Sequence, residues 1–198
     1  MKGELEPAIE DLEEALRVCR AGEIHLLVPA AARYLARAYA LAERAREARE
    51  IIEEALGLAN TQTLASLQAW CGSSLALAHL AAGAWREAEA AGAAALEHAQ
   101  RHGYHPVEAL ALRSLALSFA RRTPSELERA ARLCREALSV ADKIGMRPEA
   151  AHCHADLAEI MRRSGHPAEA HAELDAALRL YRDMGMAWYI ARAEAASA

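Results

Sequence analysis

Side chains suited to metal binding are concentrated in one short run of the sequence, His152-Cys153-His154. Imidazole and thiolate groups are the ligands that zinc prefers in proteins. On a helix, however, residues three or four positions apart share a face, whereas alternate residues do not. His152 does share a face with Asp156, but two ligands do not complete a site. We therefore expect these residues to pack rather than to bind metal, and the sequence suggests no cofactor.

Motifs for catalysis are missing from the sequence. It contains no glycine-rich phosphate loop, no HExxH helix and no GxSxG turn. A pair such as Glu97 and His98 suits an exposed helix face. The cysteines lack CxxC spacing, which is typical of reduced thiols in a cytoplasmic protein. They are Cys19, Cys71, Cys134 and Cys153. We expect a non-catalytic, cytoplasmic protein.

Composition and charge narrow the fold class and the kinds of partner. Hydrophobic types make up 54% of the chain, much of it alanine, while aromatic residues make up only 5%. A core built on alanine requires closely packed helices, and alanine is the best helix former. The net charge of -5 gives no overall electrostatic reason to expect a nucleic-acid partner. The uncharged stretch between Glu54 and Arg86 contains too many polar residues and glycines for a membrane span.

The chain repeats itself every 40 to 42 residues. In each copy an alanine is followed seven residues later by a second alanine, and one residue after that by a leucine. This spacing marks one face of a helix, here called helix B. The alanine pairs are Ala8 and Ala15, Ala48 and Ala55, Ala88 and Ala95, Ala130 and Ala137, and Ala170 and Ala177.

A second helix, here called helix A, precedes each helix B except the first. Its mark is a Leu-Ala pair followed three residues later by a large side chain or a histidine. The leucines are Leu35, Leu75, Leu115 and Leu157. Glycines punctuate the turns in the same register, since a left-handed residue commonly ends a helix. They are Gly3, Gly83 and Gly165 after helix A, and Gly103, Gly145 and Gly185 after helix B. In the third repeat the turn from helix A to helix B contains a two-residue insertion. Thr123 and Glu126 in that turn predict a capping box.

This small-and-large spacing resembles the tetratricopeptide motif over nearly the whole chain, although that repeat has 34 residues. The segments Gly145–His154 and Leu180–Met186 also look like the last repeat of certain bacterial signalling proteins. These are signalling ATPases and adenylate cyclases, and LuxR-type regulators of the maltose-activator kind, in their C-terminal helical-repeat regions. The resemblance implies an all-α, right-handed superhelical solenoid of antiparallel helix hairpins.

The repeat register assigns residues 1–198 to a single solenoid made of successive units. Because Gly3 already occupies a turn after helix A, the partial unit that precedes the first repeat has a helix B and no helix A. We therefore expect a fragment of a larger bacterial signalling protein, or else a natural N-terminal cap. The predicted units are a lone helix B over 1–22, repeats over 23–61, 62–103, 104–145 and 146–185, and a C-terminal capping helix over 186–198.

The resemblance implies that the A helices line a concave groove. The side chains expected to face it are basic at both ends and apolar in the middle. They are Arg33, Arg37, Trp70, Ser73, Leu77, Arg113, Leu117, Arg121, His152, Glu159 and Arg162. Such a groove suits a peptide with an apolar centre and acidic flanks, because arginine pairs well with carboxylates. The alternative is that these are solvated faces, and that Trp70 and Leu77 pack on a neighbouring repeat.

Three functions follow from this interpretation. The first is a protein-interaction module that binds a protein or peptide on its concave face. The second is a ligand-sensing regulatory domain that controls an attached ATPase, cyclase or DNA-binding domain. The third is self-association through the ends of the solenoid. The sequence lacks the Lys and Asn set with which tetratricopeptide domains hold chaperone tails, so that partner is not expected.

Overall fold

The computed structural model describes residues 5–61 and 65–195. Over these two ranges the chain forms α-helices joined by short turns, and one 3-10 turn at Pro124–Glu126. The helices are α1 (Leu5–Ala21), α2 (Val28–Leu41), α3 (Ala45–Thr61), α4 (Ala65–Ala81), α5 (Trp85–His102), α6 (His105–Arg122), α7 (Leu127–Lys143), α8 (Arg147–Arg163), α9 (Pro167–Asp183) and α10 (Ala187–Ala195).

Successive helices pack as antiparallel hairpins, with α2 on α3, α4 on α5, α6 on α7 and α8 on α9. Helix α1 packs on α2, and α10 packs on α9. The A helices α2, α4, α6 and α8 also contact one another in sequence. The prediction of an all-α stack of helical hairpins is therefore confirmed. Within the described ranges no helix is both long and apolar enough to cross a membrane.

Small residues let the helices approach closely. Along α3, Ala48, Ala55 and Ala59 are fully buried together with Ile52. In α5 the place of Ile52 is taken by a glycine, Gly92, and a Cβ there would lie 3.1 Å from Leu115 Cγ. Large side chains at these places would push the helices of a hairpin apart. The core of each repeat is thus a seam of alanines flanked by leucines.

The turns confirm the predicted register. Tyr104 N donates to Ala99 O at 2.8 Å, and Met186 N donates to Tyr181 O at 2.9 Å. This bond closes a Schellman motif, which needs a left-handed residue just after the helix. Glycines with φ between 65° and 80° supply that residue at Gly83, Gly103, Gly145, Gly165 and Gly185. The predicted turn at Gly3 lies outside the described residues.

Two turns use a residue that the sequence analysis missed. Glu23 and Glu43 adopt φ values of 55° and 61°, at the places that glycine holds in later repeats. The same Schellman bonds form there, from Ile24 N to Cys19 O and from Arg44 N to Tyr39 O. Glutamate rarely adopts this conformation, so its residue type gives no signal for the turn. The tertiary register imposes the turn at both places.

The capping box predicted at Thr123 and Glu126 is wrong. Thr123 is extended, its side chain caps no backbone amide, and its hydroxyl oxygen lies 3.1 Å from that of Ser125. The inserted residues instead form the 3-10 turn Pro124–Glu126, which leads directly into α7. A 3-10 turn advances the chain more per residue than an α-turn. The insertion is thereby absorbed without changing the register of α7.

Candidate functional site

A cavity of about 750 Å³ lies where the A-type helices α6, α8 and α10 face one another, with α9 as its floor. Leu41, at the end of α2, closes it from the side of the first repeat. Six of the predicted groove residues line this cavity. They are Arg113, Leu117, Arg121, His152, Glu159 and Arg162.

Arg113 is held in a buried ion-pair network. Its Nε donates to Asp156 Oδ2 at 2.6 Å and its Nη1 donates to Glu149 Oε1 at 2.9 Å. The Glu149 side chain is only 1% exposed and that of Arg113 12%. Burial opposes the charge of Arg113, but the two carboxylates outweigh it and raise the pKa of the guanidinium well above its usual value. Arg113 was predicted as a groove cation, and its charge is already neutralised inside the protein.

His152 lies at the centre of a second network. Its Nε2 is 2.8 Å from Arg37 Nη2, and its Nδ1 is 2.8 Å from Tyr181 Oη. A guanidinium can only donate hydrogen bonds, so Nε2 accepts and Nδ1 carries the proton of a neutral ring. Burial lowers the pKa of His152 well below its ordinary value, and the charges of Arg113 and Arg37 lower it further. The ring of Tyr189 packs 4.6 Å from that of His152.

The contact between Arg37 and His152 spans 115 residues of sequence. It joins α2 of the first hairpin to α8 of the fourth, and is here called the bridge. The bridge is a single side-chain contact between the first and the last of the four hairpins. Arg37, which was predicted to face the groove, is paired with His152, a residue that lines the cavity.

Apart from Arg37, the predicted residues of the first two hairpins do not line or contact the cavity. The guanidinium of Arg33 stacks 3.9 Å from the ring centre of Tyr34 and 4.3 Å from that of Trp70. Trp70 also packs against a small cluster that includes Ala99 and Val107, as the alternative interpretation expected. Leu77 is half-buried and does not line the cavity.

Ser73 does not offer its side chain to a partner. It is 2% exposed, and its hydroxyl donates to the carbonyl of Trp70 at 2.9 Å. A buried hydroxyl needs such a bond, and the preceding turn of the helix supplies it. Its assignment as an accessible groove residue is therefore corrected.

The cavity also contains residues that the sequence analysis did not assign to the groove. Trp188, Tyr189 and Arg192 of α10 form one wall, and His171 and Leu174 of α9 lie on the floor. Residues 186–198 were predicted to form a C-terminal capping helix. The repeat period could have identified α10 as a further helix A, because α10 begins 40 residues after α8.

The four arginines that line the cavity differ in how they are paired. Arg113 is bound as described, and Arg162 donates twice to Glu159, both at 2.9 Å. Arg121 makes no direct ion pair with a described residue, although its charge acts on Asp156. The Arg192 guanidinium makes no ion pair with a described residue and lies 5.1 Å from the ring of Trp188. Among the described residues no group of three His, Cys, Asp or Glu side chains is placed to hold a metal ion. The cavity is therefore a mixed apolar and cationic site.

Comparison with known proteins supplies structural neighbours. No protein-family model matches the sequence, and no curated protein matches it. The Rap conjugation gene regulator of the plasmid pLS20, solved in complex with the Phr* peptide, superposes with a TM-score of 0.79 at 18% identity. That match covers 94% of this chain and 51% of the regulator, so the chain spans about half the length of the regulator.

Two further neighbours agree. BtubC from P. vanneervenii gives a TM-score of 0.64 at 22% identity, covering 92% of this chain and 75% of that one. A kinesin light chain from Podosopora anserina with nearly identical TPR-like repeats gives 0.57 at 19% identity, covering 91% and 88%. These likenesses show a tetratricopeptide-like solenoid fold, as the sequence motif predicted.

Proposed function

We propose that this chain is a non-catalytic interaction module that holds a segment of a partner protein, or a free peptide, in the cavity between α6, α8, α9 and α10. The observation that carries the proposal is the cavity itself. Its volume of about 750 Å³ is in the range of ligand-binding pockets, which are concave and largely apolar with a few placed polar groups. Concave surfaces of this kind are what helical solenoids use for binding.

The chemistry of the walls favours a peptide over a small polar metabolite. Leu117 and Leu174 offer apolar surface on two sides, and Trp188 offers an aromatic face. The charged groups stand among these side chains, as in a site that orients a mostly apolar ligand. The structural likeness to a regulator solved with a peptide supports the same class of ligand.

Selection of peptides from a randomised display library against the chain tests this proposal. Leu117→Glu places a charge in the cavity, and Leu26→Glu is the matched control because Leu26 is 56% exposed and lies outside the cavity. We expect the wild type and Leu26→Glu to bind the selected peptides equally in calorimetric titration. Leu117→Glu should lose binding while keeping its helical circular dichroism. Peptides that bind all three proteins equally, or a library that yields none, would contradict the proposal.

A second function, a ligand-sensing regulatory domain, is favoured by the bridge. A peptide that enters the cavity beside His152 competes with Arg37 for the imidazole nitrogen. Loss of that contact frees the first hairpin from the fourth. A ligand shifts such an equilibrium only by binding the two states differently, and displacement of Arg37 is such a difference. The change would pass to an attached ATPase, cyclase or DNA-binding domain.

Small-angle X-ray scattering of the chain separates this second function from simple binding. A bound peptide should increase the radius of gyration of the wild type. It should have little further effect on Arg37→Ala, in which the bridge is already lost. If the radius of gyration stays unchanged on saturation with a tightly bound peptide, the sensor function is contradicted. The function as an interaction module is unaffected by that result.

A further inference from the structure

We infer that the ligand of this cavity is an acidic peptide, which presents a carboxylate beside a large apolar side chain, and that Arg121 and Arg192 receive that carboxylate. The inference rests on the proposed function and deepens it. It adds the class of peptide and the two residues that select it.

The acidic side chains of the cavity are already paired within the protein. Asp156 and Glu159 are the acidic residues in its lining, and both are already bound, by Arg113 at 2.6 Å and by Arg162 at 2.9 Å. Both carboxylates therefore already have an arginine partner. Among residues 5–61 and 65–195, Arg121 and Arg192 are the cavity arginines that make no direct ion pair with a carboxylate, although the charge of Arg121 also acts on Asp156, which is already bound by Arg113. The site therefore has spare positive charge.

These two arginines have the same local arrangement. Arg121 follows Leu117 by four residues on α6, and Arg192 follows Trp188 by four residues on α10. Residues four apart on a helix share a face. Each of these helices thus presents to the cavity an apolar side chain next to a guanidinium. The complement is a carboxylate flanked by apolar surface.

The cost of desolvation gives this charge its selectivity. A ligand carboxylate that enters the cavity loses part of its water and needs charged donors to replace it. The planar guanidinium supplies two parallel donors to a carboxylate. A lysine or arginine from the ligand would instead meet like charge, which disfavours a basic partner. An acidic segment is therefore accepted and a basic one rejected.

An array of short peptides with randomised sequence, probed with labelled protein, tests the inference. The test protein carries Arg121→Glu together with Arg192→Glu. Arg179→Glu is the control, because Arg179 is exposed on α9 and lies outside the cavity. Equal melting temperatures of the variants and the wild type establish that all are folded.

We expect the wild type and Arg179→Glu to select peptides rich in Asp and Glu next to large apolar residues. The double variant should bind those peptides about tenfold more weakly or worse, and should select Lys-containing and Arg-containing peptides instead. If the wild type selects peptides without acidic enrichment, or the double variant keeps the same set, the inference is wrong while peptide binding stands. An array that binds no protein at all would overturn the proposed function and the inference together.

Competition with excess succinate tests whether the cavity binds a free dicarboxylate in place of a peptide. We expect it to compete weakly, because it offers no apolar neighbour to Leu117 and Trp188. If succinate alone displaces the selected peptides fully at matched carboxylate concentration, the peptide part of the inference is overturned. The two arginines would then recognise small anions.

Discussion

Arg113 illustrates how much a single buried charge can contribute to this fold. Its removal leaves Glu149, at 1% exposure, and Asp156 without their cation. Breaking a buried ion pair by deleting one partner typically costs about 3–5 kcal/mol, because the remaining charge stays uncompensated. We expect Arg113→Ala to lower the free energy of unfolding by about that much in urea denaturation.

Arg162→Ala is the control for Arg113→Ala. The Arg162 and Glu159 side chains are 60% and 44% exposed, and exposed pairs contribute about 0–1 kcal/mol. Equal losses from the two variants would show that the Arg113 network contributes no more than a surface pair.

His152 makes stability depend on pH in a direction that can be worked out. Its folded-state pKa lies well below the ordinary value, so between the two pKa values the unfolded chain binds the additional proton. Stability from this group is therefore complete above the unfolded pKa and is lost as the pH falls below it, by up to about 1.4 kcal/mol per pH unit. Protonated Nε2 also cannot accept the hydrogen bond from Arg37.

We expect His152→Gln to flatten the fall of stability between about pH 6.5 and pH 5 in thermal melts. His25→Gln is the control, because His25 is exposed. A pH profile of His152→Gln that is parallel to that of the wild type would contradict this.

At the scale of the helix and its turns, substitution of two glycines by alanine distinguishes the effect of backbone strain from that of packing. A Cβ at Gly103 or at Gly57 would meet no atom within 4 Å. Gly103 ends α5 with φ of 69°, whereas Gly57 lies inside α3. We expect Gly103→Ala to destabilise by about 1 kcal/mol, since an L-residue is strained there. Gly57→Ala should instead stabilise by about 0.5–1 kcal/mol. Chemical denaturation of both variants measures the difference, and the same sign in both would refute this view of the turn.

The alanine seam gives a second prediction at this scale. Ala55, Ala137 and Ala177 are 0% exposed and Ala95 is 3% exposed. Leucine at any of them should overpack the hairpin and cost roughly 1–3 kcal/mol. Their counterpart in α1, Ala15, is exposed, so Ala15→Leu is expected to be nearly neutral. Melting temperatures of the four leucine variants measure this effect. If all four equal the wild type, the alanine positions do not require close helix packing.

The elements were predictable to the extent that one face of each helix carries its own pattern. The alanine and leucine spacing predicted every hairpin, because close packing allows few residue types along the seam. The turn at Thr123 was not predictable, since a capping box and a 3-10 turn use the same residues. Glu43 gave no signal either, because its left-handed φ is imposed by the hairpin rather than by its own preference.

The site was less predictable because its contacts are tertiary. The sequence placed Arg113 on the correct helix face, but its partners Glu149 and Asp156 lie on another helix. The pairing of Arg37 with His152 depends on the curvature of the whole solenoid, which no local pattern encodes. Arg192 was missed because α10 was interpreted as a cap and not as one more helix A.

For the molecule as a whole, the bridge has a consequence for the time course of folding. Solenoid repeats contact mainly their neighbours, so folding can begin anywhere and spread along the chain. The bridge instead closes a loop of 115 residues, which is favourable only after the hairpins between its ends have formed. It should therefore be absent from the transition state.

In stopped-flow experiments, we expect Arg37→Ala to speed unfolding about fivefold, as for the loss of roughly 1 kcal/mol, and to leave the refolding rate unchanged. Arg33→Ala, one turn earlier on α2 and outside the bridge, is the comparison variant. Slower refolding of Arg37→Ala would place the contact in the folding nucleus instead. On the expected result, the bridge slows unfolding. It governs how long the folded solenoid persists, not how quickly the solenoid forms.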